Sequence, residues 1–134
     1  MKTLPTVLLT ILIAFSMACG YSSKATTPAV AGTMPTIVSL VPNNTTAGTS
    51  LGTNGLMATG TNFNSNATIN WNGTALTTAY VSPTQLTATV PGADTATAGT
   101  AAVTVTNPGT TGTGAYGSGG TLAETSTPMT FTIN

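Results

Sequence analysis

The sequence predicts an all-β domain, a sandwich or barrel of about seven short strands. Three observations lead there. Apolar, β-branched runs recur from Thr36 to the end of the chain and are broken by Pro, Asn and Gly. Within the runs the apolar residues alternate with Thr or Asn, and no 3.6-residue period is present. Asn72-Gly73 stands between two such runs, a pair that favours a type I′ hairpin because both central residues take φ > 0.

The elements follow in order. Thr36–Leu40 (TIVSL) is apolar and ends at Pro42-Asn43-Asn44. Leu56–Phe63 (LMATGTNF) follows a Gly-rich turn, and Ala67–Trp71 (ATINW) places Ala67, Ile69 and Trp71 on one face. Thr74–Val81 (TALTTAYV) is the return strand of the hairpin, with Leu76 and Tyr80 on the same face, and Ser82-Pro83 breaks it. Gln85–Val90 sets Leu86, Ala88 and Val90 inward and stops at Pro91-Gly92. Thr100–Thr106 sets Ala101, Val103 and Val105 inward and closes at Asn107-Pro108. Met129–Ile133 sets Met129, Phe131 and Ile133 inward. The core expected from these faces includes Phe63, Ile69, Trp71, Leu86, Val90, Val103, Val105 and Phe131. Between the last two strands, residues 108–128 are mostly Gly, Thr and Ser and read as a long unstructured loop.

Composition narrows the function. Only 3% of the 134 residues are charged, with Lys+Arg 2, Asp+Glu 2 and His 0, while 40% are hydrophobic. Thr makes up roughly a quarter of the chain, far above average usage. Thr favours strands and offers a hydroxyl to water, so it serves as the hydrophilic face in place of Lys and Glu. Without His and with one Cys, a Ser-His-Asp or Cys-His nucleophile system cannot be assembled. The ligands of a metal site are nearly missing, so no metal and no cofactor is expected. Two cations cannot neutralise the phosphates of a nucleic acid, so nucleic acid is not an expected partner.

The first residues read as an export signal. Lys2 supplies the positive start, and Val7–Phe15 is an apolar stretch too short to span a bilayer. Ala18-Cys19-Gly20 resembles a bacterial lipobox, although Ser16 and Met17 stand where Leu and a smaller residue are usual. That reading makes residues 1–18 a signal peptide and Cys19 the lipid-bearing residue. Ordinary cleavage after Ser16-Met17-Ala18 is the alternative, since it satisfies the small-x-small rule. The lone cysteine favours lipidation, because an unpaired thiol in an exported protein is an oxidation liability. Residues 19–35 are rich in Ser, Thr, Ala, Gly and Pro and read as a flexible tether ahead of a domain over 36–134.

Several motifs in that domain, in this order, resemble the IPT/TIG family. They are Pro35-Thr36-Ile37-Val38-Ser39-Leu40-Val41-Pro42, Gly60-Thr61-Asn62-Phe63, Asn70-Trp71-Asn72-Gly73, Leu86-Thr87-Ala88-Thr89-Val90-Pro91, Val103-Thr104-Val105-Thr106-Asn107-Pro108-Gly109 and Phe131-Thr132-Ile133. The stretch after Pro108 is longer than the family's usual Gly-Gly turn. The resemblance implies an immunoglobulin-like β-sandwich that serves as a spacer or interaction module.

Three functions compete. The first is a non-catalytic module of the cell envelope, meeting an envelope protein or a neutral glycan and touching the membrane only through a lipid on Cys19. The second is an enzyme built on Asp94 and Glu124, the only carboxylates; a glycosidase needs such a pair held about 5–10 Å apart on a rigid frame, and both fall in loop-like segments. The third is carbohydrate binding through exposed aromatics, with Tyr80 and Tyr116 as candidates. Core packing is the expected fate of Tyr80, and solvation in the 108–128 loop that of Tyr116. The sequons at Asn43, Asn44, Asn66 and Asn72 are expected by chance in a chain this rich in Asn and Thr.

Overall fold

A computed structural model describes residues 29–112 and 119–134. Among them are ten strands and no helix. In chain order these are β1 (Thr36–Val41), β2 (Asn44–Thr45), β3 (Gly52–Thr61), β4 (Thr68–Trp71), β5 (Thr74–Ala75), β6 (Thr77–Ser82), β7 (Gln85–Val90), β8 (Gly99–Asn107), β9 (Glu124–Thr125) and β10 (Met129–Ile133). Seven have four residues or more and fall on the seven runs of the sequence; β5 and β6 divide the Thr74–Val81 run, and β2 and β9 are two-residue additions.

The strands form two sheets in the order β1-β3-β7-β6 and β2-β10-β8-β4-β5, with β9 also on β8. All strand pairs are antiparallel except β2 with β10. This is an immunoglobulin-like β-sandwich. The chain changes sheet twice over short distances: between β1 and β2, and between β5 and β6.

Alternation explains why these segments face as they do. β7 buries Leu86, Ala88 and Val90, β4 buries Ile69 and Trp71, and β8 buries Ala101, Val103 and Val105. Phe63 and Phe131 complete the set, so the eight residues Phe63, Ile69, Trp71, Leu86, Val90, Val103, Val105 and Phe131 are all buried. Each such large apolar side chain contributes about 1.5–3 kcal/mol on burial. β1 departs from strict alternation: a register shift between Ile37 and Ser39 lets both Ile37 and Leu40 face the core and leaves Val38 exposed.

Two glycines are set by geometry. A Cβ on Gly60 would run into the Thr36 carbonyl and the Phe63 ring, so the close approach of β1, β3 and Phe63 requires glycine. Gly73 has φ 84° and Asn72 φ 47°, the backbone of the expected hairpin, with Trp71 opposite Thr74 and Asn70 opposite Ala75.

The structure corrects the sequence reading in three places. Thr74–Val81 is not one strand: Leu76 turns into the core between β5 and β6, and the Thr78 hydroxyl holds the crossing by donating to the Leu76 carbonyl and accepting from the Ile69 N–H, both at 3.0 Å. Tyr80, expected in the core, is 39% exposed, because β6 is an edge strand with a register shift between Tyr80 and Ser82. The described residues of the 108–128 stretch are paired rather than unstructured: Thr110 and Thr121 exchange two backbone hydrogen bonds of 3.0 Å, and β9 pairs with the end of β8. Cys19, Lys24 and Tyr116 lie outside the described residues.

The last part of the expected tether also touches the domain. Val30 donates to the Gly120 carbonyl at 3.0 Å and accepts from the Leu122 N–H at 2.9 Å, and Pro35 is fully buried.

Candidate functional site

The most organised polar cluster lies at the end of β8 and is built around Asn107. Its side chain is 2% exposed. Nδ2 donates to the Thr33 carbonyl at 2.8 Å and to the Asn62 carbonyl at 2.7 Å, while Oδ1 accepts from the Asn64 N–H at 3.0 Å. Two segments, the lead-in at Thr33 and the turn at Asn62 to Asn64 that follows β3, are thereby tied to one amide. A buried amide with its partners satisfied fixes geometry and has little left to offer a ligand. The Asn62 side chain adds a bond from Nδ2 to the Met34 carbonyl at 3.2 Å.

Beside this knot, Asn64, Ser65, Asn66, Pro108, Gly109 and Thr110 line an open polar depression of about 200 Å³. Ligand pockets for small organic molecules run to about 300–1,000 Å³ and are mostly apolar. The depression is smaller and wetter than that.

Ser126 plays a comparable part along β8, accepting from the Val105 N–H at 3.0 Å while its own N–H donates to the Val105 carbonyl at 2.8 Å. At the other end of the sandwich, buried Thr95 donates to the Thr49 and Gly92 carbonyls. Thr95 and Ser126 carry no signal in the sequence, and Asn107 reads there as the strand stop before Pro108 and as part of the Val103–Gly109 motif, not as a tie. An Asn between the last strand residue and a Pro was the available signal for Asn107.

The two carboxylates are far apart. Glu124 pairs with Asn107 where β8 ends. Asp94 sits in the turn after Pro91, next to Thr95, whose carbonyl accepts from Gly48 at the end where β8 begins. About the length of β8 separates them, on the order of 27 Å at the usual rise per residue. Carboxyl pairs that cleave glycosidic bonds need about 5–10 Å. Glu124 does lie on a strand, contrary to the expectation of a loop position. Among the described residues there is no group of three or more His, Cys, Asp or Glu that could hold a metal ion. Nor is any helix among them long and apolar enough to cross a membrane.

What remains is surface. On the outer face of the second sheet Asn70 donates to Thr104 and Thr106 at 3.4 and 3.0 Å, and the Thr106 and Thr125 hydroxyls meet at 2.8 Å. The outer face of the first sheet sets exposed Val41 opposite Met57 and Ser39 opposite Thr59. Tyr80 and Val81 are exposed on its β6 edge. Neither face has a cation, since Lys2 and Lys24 both precede the described residues.

The arrangement is a sandwich framed by side-chain ties at both ends, without assembled reactive groups among its described residues. No curated protein and no solved structure matches the chain. The model of the IPT/TIG domain family matches residues 35–132. That span takes in the Gly60–Phe63 close approach, the Asn72-Gly73 hairpin and the bonds of Asn107 to Asn62 and Asn64, and the chain belongs to the IPT/TIG domain family.

Proposed function

We propose that the protein is an exported, non-catalytic immunoglobulin-like module of the cell envelope, anchored by a lipid on Cys19, that works as a spacer holding a contact surface away from the membrane. The observation that supports the spacer reading best is the path of the chain. Thr33 is tied to Asn107 at one end of β8, and Ile133 pairs with Gly99 at the other, so the chain enters and leaves at opposite ends of a nine-residue strand. IPT/TIG domains are generally non-catalytic, which agrees with the wide separation of Asp94 and Glu124. Residues 1–18 act as the signal peptide in this reading, and the uncharged Thr- and Asn-coated faces meet a protein or neutral glycan through many weak hydrogen bonds. The intact mass of the protein from the membrane fraction tests it: a chain beginning at a diacylglyceryl-modified Cys19 is expected, and a free-thiol chain in the soluble fraction would refute the anchor.

A second reading, carbohydrate binding through exposed aromatics, draws support from Tyr80, whose ring is 39% exposed on the open edge of β6. Glycan-array binding by the wild-type protein that Tyr80→Ala abolishes would favour it over the spacer.

A further inference from the structure

The sequence holds two Asn-Gly pairs, Asn54-Gly55 and Asn72-Gly73. Glycine carries no side chain to shield its backbone nitrogen, so that nitrogen can reach the amide carbon of the asparagine before it. Both asparagines are exposed, and both have positive φ, 54° and 47°. The fold holds the two pairs differently. The Asn72 N–H donates to the Ala102 carbonyl at 2.9 Å, and its side-chain Oδ1 accepts from the Ala102 N–H at 2.8 Å. Its amide is thereby tied to β8 and must leave that strand before it meets the Gly73 nitrogen. Asn54 is held by its backbone alone. Its N–H donates to the Thr89 hydroxyl at 3.2 Å, and no hydrogen bond holds its side-chain amide among the described residues. The pairing of β3 with β7 steps from Gly52–Val90 to Leu56–Ala88, so Thr53, Asn54 and Gly55 bulge opposite the single residue Thr89. The Ser50 hydroxyl pins the near side of the bulge, donating to the Val90 carbonyl at 3.2 Å and accepting from the Gly52 N–H at 3.1 Å. A Cβ on residue 55 would run into the Leu51 carbonyl, so the bulge itself demands the glycine that makes the pair reactive.

We propose that Asn54 is a self-modification site, where the folded protein turns a neutral amide into a carboxylate while Asn72 keeps its amide. The Gly55 nitrogen attacks Asn54 Cγ and gives up its proton as the side-chain nitrogen leaves as ammonia. Water then opens the five-membered imide. Cleavage at the side-chain carbonyl gives aspartate; cleavage at the backbone carbonyl gives isoaspartate. One water is consumed and one ammonia released, and nothing is oxidised or reduced. The chain, with Lys+Arg 2 and Asp+Glu 2, then has one carboxylate more than its cations. Isoaspartate also adds one carbon to the backbone. In the bulge that carbon lengthens a segment already out of register, so the Gly52–Val90 and Leu56–Ala88 pairs on either side stay in place. At Asn72 the same carbon would open a two-residue turn, with Trp71 opposite Thr74, and break the bond to Ala102. The bulge therefore gathers the reactive pair, a free amide and room for the product in one place, independently of the anchor and the spacer reading.

Prolonged incubation of the full chain at mildly alkaline pH, followed by peptide mapping, tests the site. Chymotryptic cleavage after Leu56 and Trp71 puts the two pairs in separate peptides for mass spectrometry. In the folded protein the Asn54 peptide is expected to gain the mass of NH₂ exchanged for OH and to become a substrate for isoaspartyl methyltransferase. The Asn72 peptide is expected to react about tenfold more slowly, the worth of the one side-chain bond it must first give up. In strong urea both peptides should react at the same rate, since both are Asn-Gly. Asn54→Gln should remove the fast reaction from the folded protein and leave the Asn72 rate unchanged. An Asn72 peptide that reacts as fast as Asn54 in the folded protein would overturn the site, as would an Asn54 amide that is lost only in urea. Anion exchange isolates the acidic form, which should keep the β-sheet circular dichroism and urea midpoint of the fresh protein. An unfolded or clearly less stable acidic form would overturn the claim that the bulge accommodates the product.

Discussion

The rings of Trp71 and Phe131 meet between the two sheets with centroids 4.9 Å apart and planes tilted by 56°. Trp71 reaches in from β4 and Phe131 from β10, so one aromatic contact bridges strands that both flank β8. The indole Nε1–H is buried without a hydrogen-bond partner. An orphaned buried donor costs about 1–3 kcal/mol.

Truncating either ring should therefore be severe, and swapping the indole for a phenyl should be mild. Trp71→Ala and Phe131→Ala are each expected to lose about 3–5 kcal/mol. Trp71→Phe should lose much less, because the smaller ring removes the orphan donor along with some packing. Urea unfolding of the three variants checks this, with about 0.5–1.5 kcal/mol of coupling expected in the double-mutant cycle. Wild-type Trp71 should emit at short wavelength and resist iodide quenching.

Asn107→Ala should release the lead-in. It leaves the Thr33 and Asn62 carbonyls and the Asn64 N–H without their partner, at a cost of about 1–3 kcal/mol for each one left dry. Hydrogen exchange should accelerate at the Val30 and Leu122 amides well before it does in β7. Uniform acceleration across the domain would mean that Asn107 supports the whole core rather than the lead-in.

Gly60→Ala should destabilise by overpacking, about 1–3 kcal/mol, since the new methyl meets the Thr36 carbonyl and the Phe63 ring. Removing the ring as well, in Gly60→Ala with Phe63→Leu, should recover part of that loss. Thermal melts of the single and double variants decide it.

Cys19→Ala should free the protein from the membrane fraction or stall its processing. Lipid anchoring gains about 0.8 kcal/mol per buried CH₂, so the loss should be complete rather than partial. Fractionation followed by immunoblot reads the outcome. Binding to any envelope partner should change little between low and high salt, because the described surface has no cation to steer it.

Much of this fold was legible because alternation is a local signal. β7 runs from Gln85 to Val90 as its pattern implies, and Asn72-Gly73 alone specifies the turn between β4 and β5. The misread parts depend on contacts distant in sequence. Nothing local in TALTTAYV says that Leu76 is where the chain leaves one sheet for the other; the crossing is fixed by a bond from the Ile69 N–H to the Thr78 hydroxyl. β2 reads as a turn because Asn43 and Asn44 are turn residues, and it becomes a strand only because β10 lies beside it. Likewise Asn107 reads as the residue that stops β8, and its three bonds reach segments 43 to 74 residues away in sequence.

The paired bonds between Thr110 and Thr121 close a ring at the base of the hairpin that joins β8 to β9. Whatever lies inside that ring is insulated from the register of β10, because the strand's alignment is set outside it. Length can then drift there at little thermodynamic penalty, about 0.6 kcal/mol for each doubling. This makes the hairpin a natural place for an engineer to graft a foreign epitope without disturbing the sandwich beneath.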